Sequence, residues 1–436
     1  MAKPRATRVV APTADAQHQL HELEGGARLL VAERRDRLSA SLVLMFGVGS
    51  RHESEELGGI SHFIEHLVFK GTERRPSARA VAEAIEGVGG VLNAWTDKEA
   101  TAYWAKVPAS RSDLAIDVLL DLVSGPRLVP EEVERERTVV LEELKMYLDQ
   151  PQDYVQSLFE EAMWPGHPLG RDVIGTAESV ARLSAVDARA HLEQHYCRRN
   201  LVLAVAGDVD GSALREDIER QLTLPVGRAD EVAGNDAPGE LTAPGVRRLR
   251  RKTEQAHVCL GLRGCSYRDP DREILDLIAT VLGDGMSSRL FQDLREERGL
   301  VYDVHSYTSK HRDSGYMAVE LGVEPTKTVA AIEAAVEQVR RLIDESLPED
   351  ELGRVKEYTK GRLVLGLEGT NSLASWMGQQ QLLMGGVRPI EDKLARIDAI
   401  EPGDIARVAK EILTRPIQLA VIGPFASDAP FLRAIS

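Results

Sequence analysis

The stretch Leu57-Gly58-Gly59-Ile60-Ser61-His62-Phe63-Ile64-Glu65-His66-Leu67-Val68-Phe69 decides how the rest of the chain is read. Glycines open it, and Ile60, Phe63, Ile64 and Leu67 recur at helical spacing, which predicts a helix packed along one side. At about 3.6 residues per turn, His62 and His66 stand one turn apart on a common face and can hold one ion together. Glu65 points just off that line, close enough to reach a water on such an ion without being forced to bind the ion itself. A pair of histidines one turn apart is more often a surface or core feature than a metal site. The reading therefore turns on a further ligand downstream.

Composition narrows the classes before that ligand is sought. A chain of 436 residues, 43% hydrophobic, can bury substantial cores and is long enough for two or three domains. Its formal net charge of −15 argues against nucleic-acid binding and suits a soluble protein. Cys197, Cys259 and Cys265 are too few and too irregularly spaced for a disulfide framework or a cysteine metal site, and read as reduced core residues. The longest apolar run, around Leu38 to Val48, is far too short to span a membrane. Residues 1–16 carry Lys3, Arg5 and Arg8 but no apolar core, so they read as an extension and not as a secretory signal. The expected compartment is the cytoplasm.

Upstream of the motif, His18–Leu23, Ala27–Glu33 and Ser39–Phe46 alternate like strands, with Gly25-Gly26 as a turn. Downstream, Ser77 caps a helix running to Gly87. Gly89–Thr96 and Thr101–Val107 then form a hairpin containing Trp95 and Trp104. A helix over Arg111–Ser124 places Leu114, Val118, Leu119 and Leu122 on one face. The next helix, from Glu131 to Met146, is heavily charged and would ordinarily be a solvated face laced with i,i+4 pairs. Within it Glu136 and Glu143 lie seven residues apart, nearly stacked on one face. Glu143 follows His66 by 77 residues, a distance over which local geometry decides nothing, so it is one of several candidate carboxylates.

The order H-x-x-E-H inverts the H-E-x-x-H pattern of zinc peptidases. Together with Glu134-Arg135-Glu136-Arg137-Thr138-Val139-Val140-Leu141-Glu142-Glu143, it resembles the pitrilysin/insulysin family of inverted zinc peptidases. The likeness is strongest to the short-subunit branch that includes mitochondrial processing peptidase and its bacterial homologues, and it spans nearly the whole chain. The resemblance implies that His62, His66 and Glu143 bind one zinc ion in the catalytic domain, with Glu136 assisting. Glu142 is the alternative ligand if the register slips by one. It also implies that Glu65 is the general base, and that the strand Val91-Leu92-Asn93-Ala94 binds the substrate as an added strand.

From Leu222 to Pro244 the composition turns to Pro, Gly, Ala and Asp, as in a linker. Beyond it Val258–Asp269 echoes Val43–Glu53, an apolar strand ending in Gly and Ser before a helix, but the helix Ile274–Gly283 has neither histidine. The expected fold class is α+β. Two similar domains, each a mainly antiparallel sheet with helices packed on it, are joined by a linker and form half of a clamshell. The divisions fall at 1–16 (extension), 17–224 (zinc-bearing catalytic domain), 225–245 (linker) and 246–436 (second domain). A helix ending at Gly299 leads into a strand from Leu300. Across that junction Arg295 and Tyr302 match the spacing of an arginine and a tyrosine that, in the family, contact the bound peptide and the reacting carbonyl.

The implied activity is zinc-dependent endopeptidase cleavage of oligopeptides or extended protein segments within a dimeric chamber. Because the chain has half the length of the long family members yet carries both elements, a homodimer with sites assembled in trans is expected. A heterodimer with a catalytically empty homologue is the second choice. The opposing function class is a non-catalytic structural or peptide-binding subunit of the same fold, whose relatives typically lose motif residues, all present here. A purely structural metal would not need Glu65. The segment Gly366–Ser372 resembles family sequence without an assignable role.

Overall fold

Along Arg28–Glu33 successive side chains enter different cores: Leu29 and Val31 pack with one cluster, Leu30 and Ala32 with another. That period of two is the mark of a strand buried on both faces, and it governs both halves of the molecule. The computed structural model describes residues 18–227 and 237–436, so the 1–16 extension and the middle of the 225–245 linker fall outside the described residues.

The first sheet contains β1 (Gln19–Glu22), β2 (Arg28–Glu33), β3 (Ser39–Phe46), β4 (Val91–Thr96), β5 (Thr101–Pro108) and β6 (Leu201–Gly207), in the order β1-β2-β6-β3-β5-β4. All its pairings are antiparallel except β2 with β6. The second sheet has β7 (Gly245–Arg250), β8 (Ala256–Arg263), β9 (Val301–Lys310), β10 (Gly315–Val323) and β11 (Gln418–Gly423), in the order β7-β11-β8-β10-β9. Only β7 and β11 run parallel. Both sheets therefore place a long antiparallel hairpin, β4–β5 or β9–β10, at one edge, as expected of two similar α+β domains.

Seven helices belong with one face of the first sheet: α1 (Ile60–Val68), α2 (Ala78–Glu86), α3 (Ser112–Ser124), α4 (Pro130–Leu148), α6 (Ala177–Arg182), α7 (Ala185–His195) and α8 (Gly211–Gln221). The second sheet gathers α9 (Arg272–Gly283), α10 (Thr328–Asp344), α11 (Glu349–Gly366), α13 (Ile390–Ala399), α14 (Pro402–Ile412) and α15 (Ala429–Ile435). Before β9 the chain winds as a π-helix over Phe291–Glu297, and Gly299 takes the left-handed conformation (φ +58°) that ends it.

The remaining helices cross over. α5 (Pro151–Met163) lies in the chain among the first sheet's helices, yet Val155, Phe159 and Met163 pack on Cys259, Ala318, Ala420 and Ile422 of the second sheet. Reciprocally, α12 (Thr370–Gln379) sets Leu373, Ala374 and Met377 against Leu30, Val43, Met45 and Ala204 of the first. Each sheet's second face is thus covered by a helix from the other half. A buried charge network sits at the same junction. Arg51, 2% exposed, bonds Glu99 at 2.6 Å and clasps Asp313 of the β9–β10 turn with both terminal nitrogens, at 2.7 and 2.5 Å. Lys98 pairs with Glu160 of α5 at 2.8 Å. The three cysteines are buried and free. Among the described residues no helix is long and apolar enough to cross a membrane.

Candidate metal centre

α1 forms because Ile60, Phe63, Ile64 and Leu67 recur at i, i+3, i+4, i+7 and all bury against the first sheet's core. Its start is fixed by packing and by a carboxylate. Gly59 sits at φ +92°, where an added Cβ would meet the carbonyl of Ile174 at 2.5 Å, so only glycine allows the approach. Glu53, 6% exposed, accepts hydrogen bonds from the Gly59 and Ser61 amides at 2.7 and 2.8 Å, satisfying donors the helix leaves open. Burial pushes the Glu53 carboxyl up from its ordinary value, and these bonds only partly oppose it.

The open face of α1 meets α4. Glu143 lies with Oε1 3.7 Å from His62 Nε2 and Oε2 3.3 Å from His66 Nε2. One ligand atom from each of the three falls within 4.8 Å of the others, the sole such metal-binding group among the described residues. Tetrahedral ligands at bond lengths of about 2.0–2.2 Å stand about 3.3–3.6 Å apart, and the two histidine–carboxylate separations of 3.7 and 3.3 Å are close to that. The donor chemistry fits as well: two imidazoles and one carboxylate are a zinc-type set with one position left for another ligand. Glu142, the register alternative, is turned to solvent and pairs with Lys145 at 2.6 Å.

Electrostatics prepare each member differently. Burial, then the neighbouring His66, pushes His62 down to about 4, which keeps it the neutral imidazole that binds metals. For His66 burial acts downward, but its bonds to Glu143 and Glu136 outweigh that and raise it. The His66 hydrogen bond holds Glu143 below the usual carboxylate range. Glu136, 3% exposed, reaches His66 Nδ1 at 3.3 Å and is itself paired with Lys70 at 2.6 Å. That contact leaves Nε2 facing Glu143, the arrangement by which a carboxylate fixes the tautomer of a ligating histidine.

Glu65 stands outside the group of three but close enough to feel His66 and Glu143. Its Oε2 accepts the Thr96 hydroxyl at 2.6 Å, and burial raises its pKa against the lowering effect of that bond. Thr96 ends β4, the sheet's edge strand, which carries Val91, Leu92, Asn93 and Ala94 with Val91 exposed. The Ala94 amide there meets the Asn93 side-chain oxygen at 2.8 Å. A hollow of about 340 Å³ opens beside His62 and Glu143, lined also by Asp97, Tyr147 and Asp172.

Arg295 and Tyr302 lie elsewhere in the fold. Arg295 is exposed on the π-helix with its guanidinium 4.8 Å over the Phe291 ring, and Tyr302 is 72% exposed on β9, the edge of the second sheet. Among the described residues no hydrogen bond or ion pair joins either to the three ligands. Thr96, Glu53 and Lys70 were not singled out from the sequence. Thr96 alone had a usable signal, because it closes the strand beside the motif helix.

Two family models match: Insulinase (Peptidase family M16) over residues 29–177 and Peptidase M16 inactive domain over residues 182–358. An uncharacterized zinc protease of Streptomyces coelicolor is 39% identical over 407 residues, covering 92% of this chain and 88% of that one. The uncharacterized zinc protease YmxG of Bacillus subtilis is 36% identical over 403 residues, covering 92% and 97%. A crystallised protease from Helicobacter pylori superposes with a TM-score of 0.89 at 20% identity, covering 94% of this chain and all of that one. A chain of complex III2 from Candida albicans superposes at 0.84 with 20% identity, covering 96% and 99%. At that identity the structural matches speak for the fold alone.

Proposed function

From the premise that this chain belongs to the insulinase (M16) peptidase family, we propose that it is a zinc-dependent endopeptidase acting on oligopeptides or extended protein segments. The observation that carries the reading is the convergence of His62, His66 and Glu143 within 4.8 Å, beside a carboxylate, Glu65, that is held but not committed to them. His62 Nε2, His66 Nε2 and the Glu143 carboxylate would hold the zinc. When bound, zinc supplies Lewis acidity to the scissile carbonyl and to the attacking water.

The chain's own groups do the rest. Thr96 occupies one oxygen of Glu65, and the other would face the attacking water. Glu65 takes the proton of the attacking water as the oxygen bonds to the carbonyl carbon. It then delivers that proton to the amide nitrogen as the C–N bond breaks. Its raised pKa makes it a stronger base than a solvated carboxylate. The peptide adds to the free edge of β4 along Val91–Ala94, displacing Asn93 from the Ala94 amide, so Thr96 ties base and substrate strand together. Arg295 would grip the peptide backbone and Tyr302 would donate to the oxyanion. Both are exposed on the second domain, and they reach the zinc site of a second copy across a closed, two-fold chamber.

The test compares peptide cleavage and bound metal in the parent and in Glu65→Gln, using a mixed library of unstructured peptides. The expected outcome is equal zinc content with turnover lowered by about 10²–10⁴-fold. Equal zinc with no cleavage by either protein would assign the chain to a pair with a missing partner subunit. Loss of zinc binding in the parent would leave a peptide-binding or structural subunit of the same fold.

A further inference from the structure

A second cavity, of about 170 Å³, lies away from the metal centre, between α9, the end of β9, the end of α12 and α13. Five of its lining side chains are cationic (Arg272, Lys310, Arg388, Lys393 and Arg396), against two carboxylates, Glu273 and Asp276. That excess of three positive charges stands in a chain whose formal net charge is −15. The carboxylates are already in use: Glu273 is shared between Arg272 at 2.8 Å and Arg396 at 3.0 Å, and Asp276 holds Lys310. Lys393 and Arg388 have no ion-pair partner among the described residues. Burial lowers the Lys393 pKa, and the nearby Asp276 and Glu273 carboxylates only partly oppose it.

The hydrogen-bond inventory is equally one-sided. Arg396 Nε and Gln380 Nε2 are buried donors with no hydrogen-bond acceptor among the described residues, and Arg272 Nη2 has only the shared Glu273 carboxylate. Buried donors without acceptors are costly, and here they converge with uncompensated charge from separate elements. Water could meet the donors but not the charge. A multivalent oxyanion meets both, because its oxygens accept from guanidinium and ammonium groups through charge-assisted bonds.

We propose that this cavity binds a small multivalent oxyanion, a phosphate or polycarboxylate group, held by Lys393, Arg388, the buried Nε edge of Arg396 and the Gln380 amide. Trp376 lines the cavity and also packs on the first sheet beside Trp95 and Trp104, so occupancy is felt at the junction of the two halves. The site does not depend on the peptidase reading and is tested without an activity assay.

The experiment titrates the full-length protein with inorganic phosphate, pyrophosphate or citrate at constant ionic strength, with chloride as control, following tryptophan fluorescence and thermal midpoint. Saturable shifts in the parent are expected. Lys393→Gln/Arg388→Gln should bind at least about tenfold more weakly, as charge-assisted bonds are lost. Arg354→Gln, on the outer face of α11, should behave as the parent. A response to pyrophosphate but not citrate assigns the site to phosphate groups, and a response to both assigns it to oxyanions generally. No saturable shift in the parent, or equal affinity in the double variant, overturns the proposal. Arg388→Gln alone, at an exposed position, carries the test if the double variant does not fold.

Discussion

Helix α1 follows β3 in the first sheet, and α9 follows β8, the strand in the matching place of the second. α9 is buried at every position except Asp276 and serves as core. α1 buries Ile60, Phe63, Ile64 and Leu67 in the same manner but leaves His62, Glu65 and His66 only partly covered. The neighbours make the difference. α11 and α14 close over α9, whereas the corresponding face of α1 is met by α4, which presents Glu136 and Glu143. One half of the chain thus spends a helix on packing, and the other keeps one face of the matching helix open, with His62 and His66 turned to Glu143. What the second half returns is support, through α12 on the first sheet and Asp313 on Arg51.

If that division holds, the halves fold as one unit, and the largest effects should come from breaking the exchanged helices. Phe159→Ala in α5 removes a fully buried ring from the second sheet and should cost about 3–5 kcal/mol. Met377→Ala in α12 should cost about 2–5 kcal/mol on the first sheet. Each variant should still unfold in one transition when circular dichroism and tryptophan fluorescence are followed together. Two separated transitions would show that the halves are independent and that the exchange is only a contact.

A smaller change sharpens the contrast from the chemical side. Glu136 sits on a face of α4 that could have been pure core, and it contacts both His66 Nδ1 and Lys70; on the proposed reading it orients His66 for the metal. Glu136→Gln should lower zinc affinity by about 10–100-fold, read by competition with a chelator. The thermal midpoint of the metal-free protein should change little, since Gln preserves the shape. A variant with full zinc affinity would mean that Lys70, not His66, is the partner that matters to Glu136.

The sequence made the chemical helix legible because its period is local. Ile60, Phe63, Ile64 and Leu67 fix the buried face, and the histidines then have nowhere to stand but together. The doubled α+β plan was legible only in part: Val258–Asp269 echoes Val43–Glu53 too faintly to stand alone, and the resemblance to the family carried it. Glu143 was not, since nothing within one turn of it points to His66, and it entered through resemblance. The Arg51–Asp313 clasp joins residues 262 positions apart, and no periodicity reports such a pair. The exchange of helices was hidden too. Val155, Phe159 and Met163 form an ordinary apolar stripe, and a stripe does not state which sheet it will cover.

Taken per pH unit, the smallest predicted effect probes the junction itself. His311, in the β9–β10 turn of the second half, stacks edge-on to Trp164 with ring centres 5.0 Å apart and lies 3.8 Å from Glu99 of the first. Burial, then the nearby Lys98 and Arg51, pushes it down to about 3. Its unfolded value is near ~6.5, so below that pH the unfolded chain takes up a proton that the folded protein refuses. The stability it supports is therefore whole above pH ~6.5. It declines by about 1.4 kcal/mol per pH unit as the solution is acidified towards the folded value. His311→Gln has no proton to refuse, so its urea midpoint should fall less steeply between those limits, by about one proton's worth of slope. Parallel curves for the two proteins would move the acid sensitivity to the buried histidines under α1, His52, His191 and His195, all pushed down by burial. Acid would then strike the chemical half first, and the junction would fail only as a consequence.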